Sequence, residues 1–222
     1  MHHRDGASEA DAQAVVAEII AAGGQAQAIA ADLTRRGEVK GLVERAAQVL
    51  GHPLTLLVNN ASRFEDDRLE TLTEEGWDAH MEVNLRAPLA LAQAFAGQAP
   101  EGADALVVNI LDQRVMKPNP QFFGYTLSKG ALFYATRMLA QALSPRVRAV
   151  GIGPGPTLQS RHQTEADFAA EAQATPGGRA VRLEDVAAAL RYLVDAPAVT
   201  GQTIVVDQGQ HLAWKTPDVL ND

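Results

Sequence analysis

The 222-residue chain is 46% hydrophobic and 21% charged, which suits one globular domain with an ample core. A formal charge of −8 leaves no basic footprint for nucleic acid or anionic membranes, so any phosphate group must be met by a local cation. Absent cysteines and six histidines without ligand spacing exclude disulfides and give no reason to expect a metal site.

The opening Met1-His2-His3-Arg4-Asp5-Gly6 has no signal-peptide core, and no apolar run reaches membrane length, so the expected location is cytoplasmic. Ser8-Glu9-Ala10-Asp11 has the form of a capping box, and Ala12, Val15, Val16, Ile19 and Ile20 continue at helical spacing until Gly23-Gly24. A short apolar run over 26–31 ends at Asp32-Leu33. A second amphipathic helix carries Val39 to Leu50 and is closed by Gly51 and Pro53. The run 54–58 reads as a buried strand that stops abruptly at Asn59-Asn60-Ala61-Ser62.

Thr73 is a suitable cap for a long helix reaching about Gln98. A strand over 105–110 follows, and then a polar loop through Asp112-Gln113-Arg114 and Pro118-Asn119-Pro120. A helix runs from near Tyr125 to about Leu143, and a strand over 147–152 leads into Gly153-Pro154-Gly155-Pro156. Weak periodicity over 158–178 suggests a mobile loop with one short helix at most. A helix opening at Leu183 and a strand over 203–207 complete the chain. Helices alternating with apolar strands predict an α/β fold with a mainly parallel sheet. In such sheets ligands sit beyond the carboxyl ends of the strands, where Asp32-Leu33, Asn59 to Ser62, Leu111-Asp112 and Gly153 to Pro156 all fall.

Tyr125 and Lys129, four residues apart, project from one face of a helix. A neighbouring ammonium favours the phenolate and would bring the tyrosine pKa down from about 10, making Tyr125 a general acid. The plainer alternative is a solvated lysine beside a half-buried tyrosine.

Asp32-Leu33, Asn59-Asn60-Ala61, Val83-Asn84-Leu85, Tyr125-x-x-x-Lys129, Pro154-Gly155 and the ending from Thr200-Gly201 to Asp207 together resemble the short-chain dehydrogenase/reductase family across essentially the whole chain. The resemblance implies a single Rossmann-type domain over 1–222, helices on both faces of a parallel sheet, and hydride transfer with a nicotinamide cofactor. It also implies roles. Tyr125 would be the acid, Lys129 would tune it and hold the nicotinamide ribose, and Asn84 would anchor a water in the proton relay. Asn59, Ala61 and the Pro154-Gly155 backbone would line the cofactor, with Asp32-Leu33 at the adenine. Arg4 would meet the 2′-phosphate, so NADP(H) is expected in preference to NAD(H). A plain surface arginine is the alternative at that position, and for Asn84 the alternative is a bond to its own helical turn.

Two departures from the family pattern stand out. Asp112 occupies the place of the usual serine, as in the pteridine reductase and dihydromonapterin reductase branch, where an aspartate works with the tyrosine. An ionised Asp112 would oppose Lys129, whereas a protonated one would relay protons; a simple loop residue is the alternative. The glycine-rich strand-loop-helix that normally opens the fold is also absent. The missing strands would lie between the strands at 26–31 and 54–58, leaving open edges. The expected activity is NADPH-dependent reduction of a C=N bond in a pterin-like small molecule. Alternatives are a carbonyl reductase or alcohol dehydrogenase of the same family, or a non-catalytic truncated relative serving as a binding subunit. A homodimer or homotetramer is expected, with Leu132, Phe133, Met138 and Leu139 as candidate contact positions.

Overall fold

The computed structural model describes residues 2–3 and 6–214, and Arg4 lies outside the described residues. The order is β1 (His2–His3), α1 (Gly6–Ala21), β2 (Ile29–Ala30), α2 (Arg36–Lys40), α3 (Leu42–Leu50) and β3 (Leu56–Asn59). Then come α4 (Glu74–Met81), a π-turn (Glu82–Arg86), α5 (Ala87–Gln98), β4 (Ala105–Ile110) and α6 (Phe123–Leu143). The chain closes with β5 (Val147–Pro154), α7 (Glu165–Gln173), α8 (Leu183–Asp195) and β6 (Thr203–Val206).

All pairings are parallel, but the strands form two sheets, β1-β2 and β3-β4-β5-β6. The break falls between β2 and β3, where the family resemblance places further strands. A cavity of about 1000 Å³ occupies it, lined by Ile29 and Leu33 from the smaller sheet, Leu57 and Val58 from β3, and Leu42, Val43 and Leu91 from helices. Strand β2 is only two residues long, against the six expected, because it has just one partner strand of equal length.

Both faces of the larger sheet are buried, which is why its strands read as unbroken apolar runs. Val107, Val147 and Ala149 face α5 and α6 beside Phe95, and Leu106, Val108, Val150 and Ile152 face α8 through Leu193. Arg148 secures that second layer. Its guanidinium donates to Asp104 at 2.6 and 3.0 Å and to the carbonyls of Leu193, Val194, Ala196 and Val199, which end α8 or follow it.

Several local expectations need correction. The first helix begins at Gly6, so Ser8 lies inside it. The helix expected over Val39 to Leu50 is broken at Gly41, although Gly51 closes it at φ +76°. Thr73 caps α4 as expected, accepting from Gly76 N at 3.1 Å, but the π-turn interrupts the run to Gln98. The one short helix allowed for in the 158–178 stretch is the nine-residue α7, started by a reciprocal Thr164–Asp167 capping box. Of the candidate contact positions, Leu132 is buried and Leu139 packs on the core; the exposed apolar side chains of α6 are Leu127, Tyr134 and Met138.

Gly155 follows β5 where the chain passes close to β6. A Cβ there would stand 2.7 Å from both Cα and Cβ of Asp207, so backbone would have to move. Gly155→Ala is expected to cost about 1–3 kcal/mol, read as a lower urea midpoint with an unchanged m-value.

Candidate active site

The carboxyl end of β4 and the first turns of α6 build the site. Asp112, just past β4, is fixed by a turn in which its Oδ1 accepts from Arg114 N at 2.8 Å. Its Oδ2 accepts the Tyr125 hydroxyl at 2.8 Å. One helical turn on, Lys129 donates from Nζ to Ile110 O at 2.7 Å and stands 5.8 Å from the Tyr125 ring centre. Tyr125 and Lys129 are buried, and Asp112 is partly buried.

This setting reverses the expected effect on Tyr125. Burial first, and then the Asp112 charge and hydrogen bond, push the phenol well above its ordinary range. Burial also raises the Asp112 carboxyl, against the opposing pull of the Arg114 backbone, Tyr125, and the Arg114 and Lys129 charges. Lys129 is pulled down to about 8, again mainly by burial. Asp112 and Tyr125 therefore behave as one coupled proton-holding pair, with the carboxyl as its more acidic member.

The start of α6 is held from a distance. Phe122, before the helix, has a left-handed backbone (φ +52°) and offers no side-chain cap. The orphan N–H of Gly124 instead donates to the buried Asp67 carboxylate at 3.0 and 3.2 Å. His80, also buried, donates from Nδ1 to Gly76 O at 2.9 Å and accepts from Glu65 N, and burial keeps its imidazole toward the neutral form.

Asn84 does not bond within its own turn. Set on the π-turn, it donates from Nδ2 to Ser128 Oγ and Arg63 O, both at 2.9 Å, and accepts from Arg63 N at 2.7 Å. It thereby ties the segment after β3 to the helix carrying Tyr125. Asn59 donates to Asn109, its register partner on β4, at 2.8 Å, and Asn109 donates to Thr136 of α6. Asp32 accepts from Thr34 N and Oγ1. Pro154 and Gly155 follow Gly153, whose Cβ position lies 3.3 Å from Asp112 O, so the end of β5 adjoins the pair.

The expected residues thus form two groups. Asp32, Leu33, Asn59 and Ala61 line the cavity, while Asp112, Tyr125, Lys129 and the Pro154-Gly155 segment gather beyond it. Phe64, unremarked in the sequence, joins them: it lines the cavity and meets Tyr125 edge-on at 4.7 Å. It also stacks on Phe122 at 4.2 Å, and His162 stands 5.6 Å from both rings. Arg161 pairs with Glu65 at the same place, so the 158–163 segment packs against this aromatic cluster. The only signal in the sequence was an aromatic residue close after Asn59 to Ser62 and another before Tyr125. No group of three or more metal-ligating side chains occurs, and no helix is long and apolar enough to cross a membrane, among the described residues.

The chain matches, over residues 6–211, a family model described as Enoyl-(Acyl carrier protein) reductase. It belongs to the short-chain dehydrogenase/reductase family of oxidoreductases. Among solved structures it is similar to FolM Alternative dihydrofolate reductase 1 from Brucella suis in complex with NADP. That match has 46% identity and a TM-score of 0.92, covering 99% of this chain and 87% of that one. It is 34% identical over 210 residues to an oxidoreductase of Methylorubrum extorquens, covering 91% of this chain and 84% of the relative. A 3-oxoacyl-[acyl-carrier-protein] reductase of Synechocystis sp. is 32% identical over 208 residues, with 91% and 83% covered.

Lys129 carries a testable stability effect. Its pKa falls from 10.5 to about 8 on folding, so the neutral amine is the form that folding favours. That contribution is present above 10.5 and is lost as pH falls through about 8, leaving a penalty on the order of 3 kcal/mol at neutral pH. Lys129→Met should therefore raise the melting temperature at pH 7, and its advantage should shrink steadily between pH 8 and 10.5.

Proposed function

We propose that this protein is an NADPH-dependent reductase acting on a C=N bond of a pterin-like heterocycle. The observation that carries this reading is the part-buried Tyr125–Asp112 hydrogen bond beside the Phe64–Phe122 stack. A carboxyl whose proton affinity is raised by burial suits delivery to a ring nitrogen, and the aromatic faces suit a flat ring. The similarity to an alternative dihydrofolate reductase solved with NADP supports both the cofactor and the substrate class.

The residues present fit much of a dinucleotide. Lys129 has a single hydrogen-bond acceptor among the described residues, Ile110 O, so its ammonium keeps donors for ribose hydroxyls. The Pro154-Gly155 backbone would border the nicotinamide. Asp32, Leu33, Asn59 and Ala61 line a cavity large enough for the adenosine half, and Arg4 is the candidate for the 2′-phosphate. No glycine-rich turn for the pyrophosphate occurs among the described residues. When bound, the nicotinamide supplies a hydride to the carbon of the C=N bond.

The chain's own groups do the rest. Phe64 and Phe122 offer a flat apolar wall that excludes water, and the Asp112–Tyr125 pair delivers one proton to the nitrogen. Asn84 fixes the packing of the Arg63 segment on α6, and a water held near it would reload the pair. The apolar stripe of Leu127, Tyr134 and Met138 on α6 is the candidate face for a homodimer or homotetramer. Carbonyl reduction is the second reading, favoured by the name of the Synechocystis relative.

Fluorescence titration should show saturable binding, tighter for NADPH than for NADH. Absence of binding by a folded sample would leave a non-catalytic role. Tyr125→Phe and Asp112→Asn should each lower kcat for a dihydropterin by about 100-fold or more. Because the acid form of the pair is required, kcat should fall as pH rises through an apparent pKa above the ordinary carboxylate range. Turnover of 3-oxoacyl thioesters with none of dihydropterins would favour the second reading.

A further inference from the structure

The aromatic cluster beside Tyr125 ends in a guanidinium, that of Arg114, with no carboxylate at ion-pair distance among the described residues. Phe122 keeps its left-handed backbone, a conformation a bulky residue rarely adopts, while its ring lies on Phe64. The Arg114 guanidinium stands 5.2 Å from the Phe122 ring centre, and that of Arg68 stands 5.8 Å away. Arg68 is ion-paired with Asp66, and Arg161 nearby is ion-paired with Glu65.

Arg114 differs from both. It is half-buried, and its side chain donates to two neutral oxygens, Asn119 Oδ1 at 2.8 Å and Gln121 O at 3.3 Å. No carboxylate lies within ion-pair distance among the described residues, although its charge is felt at Asp112 and Tyr125. Asn119 also accepts from Gln121 N, so the loop that holds the guanidinium is itself pinned. In a protein of net charge −8, a fixed guanidinium over an aromatic ring is a local receptor for an anion on a planar molecule.

We propose that Arg114 and Phe122 form a tail subsite, so that the enzyme prefers heterocycles bearing a carboxylate, of the folate type, over tail-less pterins. This rests on the heterocycle reading above and adds a specificity-determining residue to it.

The test compares 7,8-dihydrofolate, which carries a glutamate tail, with 7,8-dihydrobiopterin, which carries none. Wild type, Arg114→Ala and Arg114→Gln are assayed with NADPH at low and high salt. The glutamine variant keeps a donor for Asn119 and Gln121 and so guards against collapse of the loop. Wild type should favour dihydrofolate by about tenfold or more in kcat/KM. Both variants should lose about tenfold of that preference through a higher KM for dihydrofolate, and its KM should lose its salt dependence. A kcat change shared by both substrates, expected from the charge facing Asp112, cancels in the ratio. No preference in wild type, or an equal KM rise for both substrates, would overturn the subsite alone. Binding of NADPH with turnover of neither substrate would overturn the heterocycle reading and the subsite together.

Discussion

The structure turns on removing an ammonium, a carboxyl and a phenol from water within a few ångströms of one another. Each of Lys129, Asp112 and Tyr125 would be cheaper to leave solvated. Their burial is sustained by groups that contribute no chemistry of their own: Ile110 O receives Lys129, Arg114 N holds Asp112, and Asp67 fixes the start of the helix on which two of them ride. Burial determines every pKa shift in the trio, and it acts in the same sense on each, toward the neutral form. The lysine thus lies beside a tyrosine that it does not acidify in the free protein.

That outcome marks the boundary of what the chain of letters conveys. Tyr125, Lys129, Asp112 and Asn84 are legible because helical periodicity and strand ends place them, and these are local properties. The direction of the tyrosine shift was not legible, because desolvation depends on what α6 packs against. The π-turn around Asn84 was hidden for a related reason: the side chain bonds to Arg63 and Ser128, residues distant in sequence. The one short helix allowed over 158–178 is α7, but weak hydrophobic periodicity did not place it, although Thr164 and Asp167 carried a cap signal. The fold class was legible throughout, since strands buried on both faces leave continuous apolar runs.

Phe64 shows how a functional position escapes a motif. It lies in the irregular segment after β3, and its neighbours Arg63 and Glu65 are engaged by Asn84, His80 and Arg161. The surrounding polar contacts hold a loop still enough for an aromatic ring to border both the cavity and the proton-holding pair. Rigidity here comes from hydrogen bonds to side chains on three other segments, without help from secondary structure.

The break between the two sheets has a consequence for how molecules of this protein meet one another. Strand β3 ends its sheet beside the cavity, and Leu56 at its start is 41% exposed, so main-chain donors and acceptors there lie, among the described residues, without a partner strand beside apolar side chains. Such an edge is a template for strands from neighbouring molecules. Like-charge repulsion at a net charge of −8 counters it at low ionic strength and fades as salt screens it. The colloidal behaviour of the protein is thereby set by a contest between a sticky sheet margin and its overall acidity.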